Sequence, residues 1–185
     1  MTPMPNERQP GATAGTLESV RLLGLPPIVA PNTQLLILGS FPGVASLDRQ
    51  QYYAHPQNHF WKILQAIWPD CAMDTSEGSY EKRSNWLLAR GLGLWDVYAS
   101  CERVGSLDTA IRNPVVNDFA HLLRLCPQLR AIAHNGGESY RHARHTATLG
   151  LPVYKLPSTS AANASWSFAR KLAAWREVVA AVGLR

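Results

Sequence analysis

Apolar residues along this chain follow two rhythms. Four short runs, "TQLLILGS" (33–40), "GLGLWDVYAS" (91–100), "LRAIAHNG" (129–136) and "LPVYKLPS" (151–158), have the length of strands and end in Gly, Ser, Asn or Pro. Between them lie stretches of helical spacing at 59–68, 80–90, 117–126 and 137–147, followed by a longer one at 165–182. In the last, Phe168, Leu172, Trp175, Val179 and Val182 recur at steps of four and three, which makes one apolar stripe for a core. Strands alternating with helices predict an α/β domain whose parallel sheet is covered on both faces.

Residues 1–15, "MTPMPNERQPGATAG", are rich in Pro, Gly and polar residues. They have too little apolar surface to offset their ordering entropy and are expected to form a disordered tail, leaving 16–185 as a single domain. With 185 residues and 46% apolar content, the chain has enough material for one full core. No run approaches the roughly 18 apolar residues of a spanning helix, and the N-terminus has no apolar signal core, so a cytoplasmic protein is expected. Cys71, Cys101 and Cys126 are odd in number and far apart, and read as reduced thiols rather than metal ligands. The net charge of +5 favours a polyanionic partner without identifying it.

Open α/β sheets bind ligands beyond the carboxyl ends of their strands. That rule directs attention to "GSFPG" (39–43), "DVYASC" (96–101), "HNGG" (134–137) and "LPSTSAAN" (156–163). The first could cradle a phosphate through backbone N–H groups, although it lacks the Gly-Lys-Ser/Thr ending of a P-loop, and a plain tight turn explains it equally. Ser40, Asp96 and His134 follow the Ser, Asp, His order of many hydrolases, but Ser40 does not sit in a G-x-S-x-G elbow. His142 and His145, like His55 and His59, have no third metal ligand spaced to join them. Asp48, Asp96, Glu102 and Asp108 are scattered, with no spacing that marks a carboxylate pair. The segment "QQYYAHPQNHFW" (50–61) brings flat rings and an amide close together, which suits a pocket for a planar heterocycle or, alternatively, an aromatic core edge.

Taken together, "GSFPG…SL…QQYYAHPQNHFW", "LWDVYASCERVGSLDTAI" (94–111), "HNGG" and "LPSTSAANAS" (156–165) resemble the hypoxanthine (deoxyinosine) DNA glycosylase family of the uracil-DNA glycosylase superfamily. The resemblance covers most of residues 33–182. It implies a three-layer α/β/α sandwich around a four-stranded, mainly parallel sheet, with no cofactor and no metal. It also implies a monofunctional enzyme that flips deaminated bases out of DNA and hydrolyses the N-glycosidic bond, with hypoxanthine first and uracil and xanthine as further candidates. The partner is DNA containing such bases, and a cytoplasmic, nucleoid-associated monomer is expected.

Relatives carry a water-positioning Asn in a G-I-N-P-G-like first motif, where this chain has Phe41. The resemblance moves that role to Asn58, within "HPQNHFW". It assigns base contacts to Ser40, Phe41 and Tyr53, with Tyr53 stacking on the base, and DNA-backbone contacts to Ser158, Thr159 and Ser160; Asn135, before a Gly-Gly that opens a helix, either supplies a further base contact or is an ordinary turn asparagine. The second motif departs further, since the base-contacting Asn and apolar wedge of N-P-S-G-L-S are missing from "LPSTS". The loss at Phe41 leaves a rival reading, a nucleic-acid-binding module that keeps the pocket without the reaction. Under either reading, affinity for duplex DNA should fall steeply with salt, because phosphate neutralisation releases counterions. A fluorescence-anisotropy titration checks this, and a binding constant flat between low and physiological salt would contradict it.

Overall fold

The computed structural model describes residues 20–76 and 78–184, so the tail expected over 1–15 lies outside the described residues. The strands are β1 (Arg21–Leu23), β2 (Leu35–Gly39), β3 (Leu92–Asp96), β4 (Tyr98–Glu102), β5 (Arg112–Val116), β6 (Ala131–Asn135) and β7 (Val153–Leu156). The helices are α1 (Val44–Arg49), α2 (Phe60–Ile67), α3 (Tyr80–Ala89), α4 (Leu122–Leu125), α5 (Gly137–Tyr140), α6 (Ala143–Ala147) and α7 (Phe168–Ala181).

Strands β3, β2, β6 and β7 pair in that order, all parallel, and they are the four runs that the sequence predicts as strands. Every residue of β2 and β6 is buried, as expected of inner strands in a sheet covered on both faces. Alternation along β2 separates the two layers. Leu35 and Ile37 pack with Phe60, Trp61, Ile63 and Leu64 of α2, Leu87 of α3 and Trp175 of α7. Leu36 and Leu38 pack on the other side with Phe119, Leu122 and Cys126. The result is the three-layer α/β/α sandwich expected from the family resemblance.

A second, antiparallel sheet of β1, β4 and β5 was not anticipated. The run 91–100 reads as one strand because no Gly or Pro interrupts its later half, yet the chain changes sheet at Val97. The Val97 N–H donates to the Gly39 carbonyl and that of Tyr98 to the Ser40 carbonyl, which keeps β4 anchored to the end of β2. Pro114 sits in β5, an edge strand, where a missing N–H is tolerated.

Two predicted helices are shorter than their spacing suggests. Over 117–126, Asp118 caps a 3-10 turn at Phe119–His121 that leads into α4. Over 137–147 the chain divides into α5 and α6. The final helix forms largely as predicted, with Trp175, Val179 and Val182 buried and Phe168 at its exposed start.

Trp175 is 1% exposed, meets the Phe60 ring edge-on at 5.7 Å, and donates from Nε1 to the Pro157 carbonyl at 3.3 Å. Trp175→Ala removes a large core side chain and should cost about 3–5 kcal/mol. Thermal melting followed by circular dichroism should register that as a clear fall in midpoint.

Candidate active site

The carboxyl ends of the parallel strands open into a cleft of about 640 Å³. All eight candidate residues line it: Ser40, Phe41, Tyr53, Asn58, Asn135, Ser158, Thr159 and Ser160. Asp96, Asp108 and Asn163 are among the other polar residues of its lining.

The aromatic segment is pinned from several sides. The Tyr52 N–H donates to the Tyr80 hydroxyl, its carbonyl accepts from Trp61 Nε1, and its own hydroxyl is shared between the carbonyls of Leu25 and Pro26. These contacts hold Tyr53 at φ 53°, a left-handed backbone uncommon for a residue with a side chain. One face of its ring stacks on Phe60 at 4.0 Å and 17°, and it also forms part of the cleft wall. Asn58 precedes α2, and its Oδ1 accepts from the Phe60 N–H at 2.9 Å. That bond fixes the amide while leaving one lone pair on Oδ1 and both Nδ2 hydrogens without a partner among the described residues.

Asn135, at the end of β6, ties the walls together. Its Nδ2 donates to the Tyr53 hydroxyl at 3.0 Å and to Thr159 Oγ1 at 2.9 Å, while its Oδ1 accepts from the Thr159 N–H at 3.0 Å. Both amide hydrogens are therefore spent inside the wall. Thr159 is fully buried in this arrangement, so its side chain holds the loop from within instead of facing a DNA backbone. Ser158 and Ser160 differ from it, because each hydroxyl oxygen accepts a loop N–H, from Ser160 and Ala162 respectively, and retains its own hydrogen for a ligand. Beneath them Lys171, only 1% exposed, donates to the Ser160 carbonyl at 3.1 Å.

Asp96 occupies the floor of the cleft at the end of β3. It is 4% exposed, and its Oδ2 has no hydrogen-bond partner among the described residues. Burial, and then the negative charge of Asp108, push its carboxyl up to about 7, against a smaller opposing pull from the Arg103 guanidinium. A Cβ on Gly39 would fall 2.3 Å from Asp96 Oδ1, so the carboxyl fits only because the facing strand has no side chain there. Arg103 itself is buried, donates to the Pro42 carbonyl and lies 5.1 Å from the centroid of the Phe41 ring. Phe41, 6% exposed, is thus part of the packing behind the loop as well as of the cleft wall.

Other constellations do not assemble. Ser40 donates to Asp108 Oδ1 at 2.6 Å, whereas the ring nitrogens of buried His134 contact Ser139 and Thr146, so no Ser-Asp-His relay forms. The His142 ring faces Tyr98, whose hydroxyl also donates to Glu138. In the sequence, Asp96 reads only as a relay member or a scattered carboxylate. Its real signal was its position, as the one charged residue in the apolar run 91–100.

Parallel strands ending in a cleft of rings, amides and a buried carboxyl give the chain the architecture of an α/β enzyme. A family model of the uracil DNA glycosylase superfamily matches residues 26–179, and the chain belongs to that superfamily of DNA glycosylases. It is 36% identical over 154 residues to a protein of Methanosarcina barkeri named hypoxanthine DNA glycosylase, spanning 83% of this chain and 95% of the relative. A Methanosarcina acetivorans protein of the same name is 36% identical over 144 residues, or 78% of this chain and 89% of that one. A solution NMR structure from Methanosarcina acetivorans, provisionally described as a uracil DNA glycosylase, superposes with a TM-score of 0.76 at 33% identity. That match covers 89% of this chain and 99% of the other.

The raised Asp96 carboxyl has a consequence for stability. Its folded value of about 7 lies above its ordinary 3.8, so the native state binds the extra proton. Its contribution is complete below pH 3.8 and is lost as pH rises through about 7. Asp96→Asn should abolish that loss, so the difference in melting temperature between variant and parent should grow in the variant's favour from pH 4 to pH 8. Paired melting curves across that range measure it.

Proposed function

We propose that this glycosylase excises hypoxanthine from DNA, with uracil and xanthine as further substrates, by flipping the base into the cleft and hydrolysing its N-glycosidic bond. The observation that carries the reading is Asn58, anchored on the cleft wall by the first turn of α2 with hydrogen-bonding capacity left over. A neutral amide so placed orients the attacking water without taking its proton. The two Methanosarcina relatives named for hypoxanthine support the choice of base. Tyr53 offers a flat ring for the base, and the backbone of 40–43 offers N–H groups for the charge that develops on it. Ser158 and Ser160 contact the DNA backbone through their hydroxyls, while Asn135 and Thr159 hold those walls in register.

A cleft lining that contains no lysine among the described residues supports hydrolysis without a lyase step. Lys62 is exposed and donates to the Pro56 carbonyl, and Lys155 lies against the Tyr140 ring. The packed Phe41, standing where relatives have their amide, favours a second reading in which DNA is bound but not cut.

Single-turnover cleavage of an inosine duplex separates the two. Asn58→Ala should reduce the rate roughly 10²–10³-fold, as for loss of one preorganised polar group. Affinity for the intact duplex should change little. A parental protein that cleaves no inosine, uracil or xanthine duplex while binding them would establish the binding module instead.

A further inference from the structure

Asn58 accounts for the water but not for the departing base. Breaking C1′–N sends the bonding electron pair onto the base, and a purine leaves more readily once a proton neutralises that charge. The residues assigned above provide hydrogen bonds for this step but no proton. Resting on the glycosylase reading, we propose that Asp96 is the general acid of base excision, transferring its carboxyl proton to the base as the C1′–N bond breaks.

The placement carries the argument. Asp96 ends β3, is 4% exposed, and is among the residues that line the cleft. Its Oδ2 is buried and unpartnered, an arrangement that disfavours a carboxylate and suits a neutral acid whose O–H waits for an acceptor. The absence of a side chain at Gly39 is what leaves room for it. The titratable and charged groups facing Asp96 are Asp108 and Arg103 from the segment after β4, Tyr52 and Tyr53 from the segment after α1, and Tyr80 from α3. The cation among them is not bonded to Asp96, since Arg103 donates to the Pro42 carbonyl. Asp108 across the cleft adds a like charge, which favours the protonated form further.

The step balances. The C1′–N bond breaks, its electron pair goes to the base, and the Asp96 proton joins the base as it leaves. The water oriented by Asn58 adds its oxygen to C1′, and the proton it releases restores the Asp96 carboxyl. No oxidant, metal or further reactant is required.

The test is the pH dependence of single-turnover cleavage of an inosine duplex under saturating enzyme. The parental rate should be level in mild acid and fall about tenfold per pH unit above the Asp96 midpoint, near 7. Asp96→Asn should lower the plateau about 10²–10⁴-fold and flatten the profile. Its binding to a duplex with an uncleavable 2′-fluoro inosine should stay close to parental. Asp108→Asn removes the like charge and should move the midpoint to lower pH without abolishing it.

The proposal is overturned if Asp96→Asn cleaves within a few-fold of the parent, if it keeps the parental pH profile, or if Asp108→Asn abolishes that profile. Should Asp96→Asn not fold, the parental profile decides alone, because a rate independent of pH between 6 and 8.5 rules the acid out. Parental cleavage with an unaffected Asp96→Asn overturns only this assignment. Absence of parental cleavage overturns the proposed function and this step with it.

Discussion

One side-chain amide holds the cleft in shape. Asn135 reaches from the end of β6 to Tyr53 and to Thr159, two segments that are 106 positions apart in the chain and share no regular element. Three hydrogen bonds inside a buried wall confer strength and direction together, since each group left unpaired there would bear its full desolvation cost. The serine loop is held again from below by Lys171, a buried cation whose amine is directed to the Ser160 carbonyl. Wall shape therefore follows from a few polar contacts set in an otherwise apolar sandwich.

That economy divides the polar groups by role. Asn135 and Thr159 are turned inward and saturated, so they shape the cleft without offering much to a ligand. Asn58, Ser158 and Ser160 each spend part of their hydrogen-bonding capacity on the local backbone and keep the rest. Asp96 spends none at Oδ2. A buried group whose capacity is entirely unspent is costly to fold around, and sites of chemistry are where proteins accept such costs.

Much of this was legible beforehand, for reasons that differ from element to element. The four parallel strands announce themselves because strands buried on both faces are continuous apolar runs bounded by turn residues, and α7 does so through its stripe. The antiparallel sheet stayed hidden because β4 follows β3 after a single residue, Val97, and no sequence pattern distinguishes a strand that changes partners from one that continues. At the cleft, glycines and prolines at strand ends indicated where to look, and the family resemblance named Asn58, Tyr53 and the serine loop. Asp96 escaped because its state depends on depth and on Asp108 across the cleft, neither of which is written in local spacing. Asn135 was noticed, but its engagement on three sides depends on two distant segments meeting it.

Gly39 and Asp96 face one another so closely that a Cβ at position 39 would fall 2.3 Å from the Asp96 Oδ1, well inside contact distance. Position 39 cannot drift alone. Any side chain at 39 requires the carboxyl to retract or shorten first, whereas shortening residue 96 opens space that position 39 is then free to fill. Across a lineage the two sites should therefore change in a preferred order, with 96 leading and 39 following, and a descendant that has taken the second step cannot regain the aspartate by one substitution. A glycine at the end of β2 thus acts as a ratchet on the chemistry of the neighbouring strand.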